Sequence, residues 1–165
     1  MKAVLILLLA AFIMNGCGAG NTVTTSSNDI WGAVMAGGAN TSSGFSFNTE
    51  FTVAANGALT VSSFQFLNSG TCFGSSSIPK QPTGTLVVTF NSDDVVAGTF
   101  SYTITSSAGD AITLTSTSVT GTVNPNNSFI LSGGSIIGTW ALVPGSGSGC
   151  VAVTDGSFTM SQTTT

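Results

Sequence analysis

Histidine is absent from this chain of 165 residues, and charge is almost absent, with two Lys plus Arg against six Asp plus Glu. Without imidazole there is no side chain that ordinarily titrates near neutrality, no access to the commonest zinc ligand, and no Ser–His or Cys–His nucleophile. Lys2 and Lys80 are the only basic side chains. A nucleic-acid binder needs a basic face to neutralise phosphates, so nucleic acid is excluded as a partner. No run reaches the roughly 20 apolar residues that a membrane-spanning helix requires, and no segment beyond residue 30 repeats at helical spacing. The carboxylates are scattered: Asp93 and Asp94 are neighbours in a turn, and the others stand alone. Two turn carboxylates without further ligands read as solvated, so neither a metal, a cofactor nor a pair of glycosidase acids is expected.

Three local patterns imitate catalytic motifs and fail on context. Gly70, Thr71, Cys72, Phe73 and Gly74 have nucleophile-elbow spacing, but no helix pattern follows and no base exists. Ser77, Ile78, Pro79 and Lys80 match a Ser-x-x-Lys motif, which needs a helical turn to set Lys beside Ser. Pro79 biases Ile78 away from helix. Gly145, Ser146, Gly147, Ser148 and Gly149 are followed by a strand pattern rather than a helix N-terminus, so they read as a flexible loop and not as a phosphate cradle. The chain is expected not to be an enzyme.

What the sequence does contain begins at its start. Lys2 precedes an unbroken apolar run, Ala3 to Met14, followed by Asn15, Gly16 and Cys17. A positive start, a short apolar stretch and a small-residue boundary mark an export signal. The end of this stretch resembles the lipobox of bacterial lipoproteins, in which a cysteine after a small residue is lipidated and becomes the first residue. Gly16 and Cys17 match that pattern, while Met14 stands where Leu is usual and Asn15 is larger than the common Ala or Ser. The resemblance implies a signal peptide over 1–16, an acylated Cys17, a membrane as partner through that anchor, and, because Gly18 is not Asp, the outer membrane. The alternative is ordinary cleavage after Cys17, Gly18 and Ala19, giving a periplasmic or secreted protein.

Either route removes Cys17 from disulfide chemistry, leaving Cys72 and Cys150 in an oxidising compartment with only each other. A bridge between them would close a loop of about 78 residues, worth roughly 4–5 kcal/mol in the chain-entropy model. Residues 17–29 read as the lipidated N-terminus and a polar tether, and 30–165 as a single all-β domain.

Within 30–165 the apolar residues recur at period two. Ile30 to Met35 forms a first strand carrying Trp31. Phe45, Phe47, Phe51 and Val53 lie on one face of a second, which ends at Asn56 and Gly57, a dipeptide suited to a type I′ hairpin turn. In the third, Ala58 to Leu67, the apolar phase shifts between Val61 and Phe64, as a bulge would cause. Leu86, Val88 and Phe90 mark a fourth strand. After a turn at Ser92, Asp93 and Asp94, a fifth places Val96, Phe100, Tyr102 and Ile104 on one face. A sixth runs from Ala111 to Val123 with a phase break between Leu114 and Val119, and Asn124 to Asn127 form the next turn. The seventh places Phe129 and Leu131 at odd positions but Ile136, Trp140 and Leu142 at even ones, with Gly133 and Gly134 at the change. A single bulged strand, rather than a hairpin there, brings the Cys72 and Cys150 loops to the same end of a meander. An eighth strand spans Val151 to Ser161.

These features predict an all-β antiparallel meander of about eight strands, closed as an up-and-down β-barrel, with a β-sandwich as the alternative. Trp31 followed by Phe51, Thr52, Val53, Ala54, Ala55, Asn56, Gly57, Ala58, Leu59 and Thr60 resembles the opening hairpin of avidin-like barrels. That resemblance implies barrel shape and transfers no binding residue. The expected function is that of a non-catalytic envelope lipoprotein with a structural or surface-interaction role toward another envelope component. The alternative is a carrier of a small apolar ligand, with Trp31, Tyr102 and Trp140 lining a cleft.

Overall fold

The computed structural model describes residues 30–37, 45–54, 56–69, 73, 80–124 and 130–163. The signal stretch, Cys17 and the tether lie outside the described residues, as does Cys72. Eight strands follow one another: β1 (Ile30–Ala36), β2 (Phe45–Val53), β3 (Leu59–Asn68), β4 (Thr83–Asn91), β5 (Asp94–Thr105), β6 (Ala111–Asn124), β7 (Ile130–Val143) and β8 (Val153–Thr163). No helix is present among the described residues. The period-two pattern dictates which face turns inward. On β2 the odd positions from Phe45 to Val53 are all buried, and on β5 Phe100, Tyr102 and Ile104 are buried while Thr99, Ser101, Thr103 and Thr105 turn outward.

All pairing is antiparallel in the order β3-β2-β1-β8-β7-β6-β5-β4. Each strand pairs with its sequence neighbour except β3 with β4, and β1 pairs with β8 from Ile30↔Thr163 to Ala36↔Ser157. The sheet therefore curls until its two edges, β3 and β4, approach. There Ala58 bridges Thr85, the Leu86 N–H donates to the Gly57 carbonyl at 2.8 Å, and Gln81 Nε2 donates to the Val61 carbonyl. The architecture is one barrel-like sheet with a short seam. The sandwich alternative is not formed, because the β1–β8 ladder joins both ends of the chain into the same sheet.

The phase breaks in the sequence are bulges. Glu50 pairs with Ser63 and Phe51 with Val61, leaving Ser62 unpaired on β3. Thr115 pairs with Thr139 and Ser118 with Ile137, so Ser116 and Thr117 face the single residue Gly138. Thr120 pairs with Ser135 and Thr122 with Ser132, so β7 continues through Gly133 and Gly134 as one strand, with Gly133 at φ 61° in the left-handed region.

Two local expectations are corrected. Val96 does not join the inward face of β5. Thr89 pairs with Ala97 and Phe90 with Val95, so Val96 is the bulged residue and stands 61% exposed, while Val95 takes the inward position. The Asn56–Gly57 turn is not the two-residue type I′ hairpin. The Gly57 N–H donates to the Ala54 carbonyl and the Ala54 N–H to the Ala58 carbonyl, both at 2.8 Å. This is a three-residue loop with Gly57, at φ 83°, in the left-handed position.

Because successive connections alternate between the ends of a meander, the β3–β4, β5–β6 and β7–β8 connections share one end. The β2–β3 and β4–β5 hairpins occupy the other.

Candidate functional site

The three aromatic side chains proposed as cleft residues, Trp31, Tyr102 and Trp140, are all inside the sheet and no more than 1% exposed. They belong to one hydrophobic core and are joined through phenylalanines rather than by ring contacts with one another. Trp31 stacks on Phe51 with centroids 5.6 Å apart, and Phe51 lies against Tyr102 at 6.4 Å. Tyr102 is itself flanked by Phe47 at 5.7 Å and Phe100 at 6.0 Å, both near-parallel. Trp140 lies elsewhere, edge-on to Phe45 at 5.5 Å, with Nε1 donating to the Ala36 carbonyl at 3.2 Å. Phe73, next to Cys72, packs on Phe45 and Phe66 in the same region, and Cys150 is partly buried against this core. Rings thus make up much of the described core beside aliphatic side chains, with offset stacked and edge-on contacts adding to their area burial.

Among the rings sits a polar pair that the sequence signals only as an interruption. Thr49 occupies the inward phase of β2 between Phe47 and Phe51 and is 1% exposed. Its hydroxyl donates to the Ser63 carbonyl at 2.9 Å, which uses its single proton. The Tyr102 hydroxyl, 2.7 Å away, is therefore the donor to Thr49. Burial pushes the Tyr102 hydroxyl far above its ordinary value, and the bond with Thr49 offsets only part of that. Trp31 Nε1 is buried with no hydrogen-bond partner among the described residues.

A second buried polar group lies at the end shared by the β5–β6 and β7–β8 connections, and sequence reasoning passed over it. Asp110 is 1% exposed. One carboxylate oxygen accepts from the Ser106 hydroxyl at 2.9 Å and the other from the Gly145 N–H at 2.9 Å, and the Ser148 side chain adds a further bond. Ser106 is saturated in turn, since its oxygen accepts from the N–H groups of Ala108 at 3.1 Å and Asp110 at 3.0 Å. Burial acts to raise the Asp110 carboxyl, but the bonds from Ser148, Gly145 and Ser106 outweigh it and hold the group below its ordinary value. The available signal was the Ser106-to-Asp110 spacing around Gly109, a turn in which both polar residues can bond backbone.

Residues 145–149 form the loop expected between two strands, and hydrogen bonds tie it to Asp110. The Ser148 N–H donates to the Gly145 carbonyl at 3.2 Å, and the Cys150 N–H donates to the Ser148 hydroxyl at 3.0 Å. Glycines supply the turn, with Gly147 at φ 77°, and the Asp110 carboxylate anchors it.

The outer wall has a different chemistry. Thr85, Ser101, Thr115, Thr139 and Ser157 stand in register across β4 to β8. The β6 bulge opens a shallow depression of about 250 Å³ in this wall, lined by Thr115, Ser116, Thr117, Ile137, Gly138 and Thr139. Asp93 and Asp94 lie in the β4–β5 hairpin, and among the described residues no three Cys, Asp or Glu gather as metal ligands. Of the motif-like stretches, Lys80 is described and exposed, its N–H donating to the Thr105 carbonyl at 2.7 Å. Phe73 is buried, and the remaining residues of 70–79 lie outside the described residues. No helix of the described residues is long and apolar enough to cross a membrane. Compared with known proteins, the chain matches no family model, no curated protein and no solved structure.

Proposed function

We propose that this chain is a non-catalytic lipoprotein of the bacterial cell envelope, held at the outer membrane by acyl chains on Cys17. Its barrel-like sheet serves a structural or surface-contact role. The observation that carries the second half of this reading is the contrast between an apolar interior rich in aromatic rings and the row of outward Thr and Ser side chains in register across β4 to β8. Trp31, Tyr102 and Trp140 are buried among phenylalanines. The export stretch and its lipobox resemblance carry the first half. More than one acyl chain on Cys17 would make the anchoring stable, where a single chain gives marginal binding.

The Cys72–Cys150 bridge belongs to the same reading. It is supported by the shared end of the β3–β4 and β7–β8 connections and by Phe73 and Cys150 packing against one core. Intact-mass measurement on protein extracted from membranes tests both points. The expected mass begins at Cys17, carries lipid, and is lighter by two hydrogens than the dithiol form. An N-terminus beyond Cys17 without lipid mass overturns the anchor and leaves the periplasmic or secreted alternative.

One observation favours the carrier as a second reading: the unpaired indole N–H of Trp31 would be satisfied by an acceptor oxygen on a small, otherwise apolar ligand. Native mass spectrometry of the freshly purified protein decides it. A bound small molecule that is lost in Trp31→Phe supports the carrier, and a bare chain mass eliminates it.

A further inference from the structure

We propose that the Asp110 carboxylate is a latch that keeps the β7–β8 connection closed over the aromatic end of the core, and that neutralising it opens this connection while the sheet stays folded. The connection runs from Pro144 to Ala152 between β7 and β8. Two of its hydrogen bonds run directly to one side chain and a third reaches it through Ser148. Gly145 N–H and the Ser148 side chain bond the carboxylate directly, and Cys150 N–H bonds the Ser148 hydroxyl. Gly145 also lies so close to the β5–β6 connection that a Cβ there would sit 2.1 Å from the Ala108 carbonyl oxygen. The two connections are therefore in direct contact. Cys150 at the end of this chain of bonds packs against the core that contains Phe45, Phe73 and Trp140.

The strands do not depend on these bonds. β7 is laddered to β6 from Ala111↔Val143 onward and to β8 from Leu142↔Val153 onward, so backbone pairing persists up to the edge of the connection. Release of the carboxylate removes charge-assisted bonds to the connection, which are the strong kind, and removes none from the ladders. On Asp110 itself, the ring of bonds with Ser106 ties the carboxylate to the β5–β6 turn, so the carboxylate is fixed on one side and holds the partner on the other.

Charged and titratable groups on the neighbouring elements are few. Lys80 joins β5 through its backbone and its side chain is exposed, Cys150 is half-buried at the far end of the connection, and Asp155 at the start of β8 is exposed. None of them contributes to the bonds on Asp110. The sign follows from the bonding of the charged form. The latch is closed at neutral pH, and it opens as pH falls through the value of Asp110, which its bonds hold below the ordinary one.

The test is amide hydrogen exchange on the full mature chain, read as protection factors so that the intrinsic pH dependence of exchange is removed. The reporters are the amides of Gly145, Ser148 and Cys150, and the controls are amides within β5 to β8. In Asp110→Asn at pH 7 the three reporters are expected to lose about tenfold in protection while the controls keep theirs. Ser148→Ala keeps the carboxylate and remains informative if Asp110→Asn does not fold. In that variant Cys150 loses protection, Gly145 retains it, and acid opening moves to higher pH because one bond to the charged form is gone. Unchanged protection at the three reporters in Asp110→Asn, or at Cys150 in Ser148→Ala, overturns the latch. Equal loss in reporters and controls also overturns it, because Asp110 would then be holding the whole sheet.

Discussion

Removing the two partners of the Thr49–Tyr102 hydrogen bond one at a time should have unequal costs, and the inequality follows from which atom donates. Thr49 spends its proton on the Ser63 carbonyl, so Tyr102 donates to Thr49. Tyr102→Phe deletes a donor and leaves behind a threonine hydroxyl whose own proton is still used. The loss is one neutral bond, about 0.5–1.5 kcal/mol, and the ring stack with Phe47 and Phe100 is kept. Thr49→Val keeps the shape but strands the Tyr102 hydroxyl at 0% exposure, with no described partner to replace Thr49, and takes a donor from Ser63. A buried group left unsatisfied costs about 1–3 kcal/mol. Replacing both partners restores an apolar pair of similar shape, so the double variant should be more stable than the sum of the single costs, by about 1 kcal/mol. Urea unfolding followed by the fluorescence of Trp31 and Trp140 gives the three values, provided the slopes agree. A Tyr102→Phe cost larger than that of Thr49→Val, or strict additivity in the double variant, would refute the assignment of donor and acceptor.

Tyr102 is the only tyrosine in the chain, so its ionisation can be followed alone by ultraviolet absorbance. In the folded protein tyrosinate should stay absent well above the ordinary value near pH 10 and appear together with unfolding. Since the folded value is raised, the stabilisation is complete below pH 10 and declines as pH rises further, and Tyr102→Phe should flatten that decline. Two glycines of β7 should respond differently to alanine. Gly138→Ala sets a methyl 2.1 Å from the Thr115 carbonyl oxygen and 2.8 Å from the Phe158 ring, with an expected cost of about 3 kcal/mol or failure to fold, whereas Gly133→Ala meets nothing within 4 Å and costs about 1 kcal/mol for its left-handed backbone. Thermal melts of Val96→Thr and Val95→Thr should separate the bulged residue from its inward neighbour, with Val96→Thr within about 0.5 kcal/mol of the parent and Val95→Thr lower by about 1–2 kcal/mol.

Much of the sheet was legible because period-two alternation is a local property. The inward faces of β2 and β5 could be read from Phe45 to Val53 and from Phe100 to Ile104, and the breaks near Ser62, Ser116 and Gly133 were visible as changes of phase. Val96 was misassigned because its own pattern fits the inward face. What displaces it is the offset of β4, and a register is set by two strands together. Asn56 was misassigned for a related reason, since the dipeptide is compatible with more than one loop length and the flanking ladder from Val53↔Leu59 decides between them.

The polar interior was the least legible part. Thr49 looks like a gap in a row of phenylalanines until Tyr102, 53 residues away, is brought against it. Asp110 looks like a turn carboxylate until the connection after β7, 35 residues on, folds over it. The residues singled out for a cleft, Trp31, Tyr102 and Trp140, were correctly read as inward, but inwardness alone does not distinguish a lining from a filling. That distinction depends on which rings face one another across the sheet.

By itself the sequence determined the class of fold, the number and bounds of most strands, and the missing chemistries, because alternation, turn residues and composition act within a few residues of themselves. Tertiary structure decided the pairing of β1 with β8, the approach of the edges β3 and β4, and the partners of Thr49 and Asp110. Those depend on atoms brought together from distant parts of the chain, and a buried hydroxyl or carboxylate is stable only when such partners arrive.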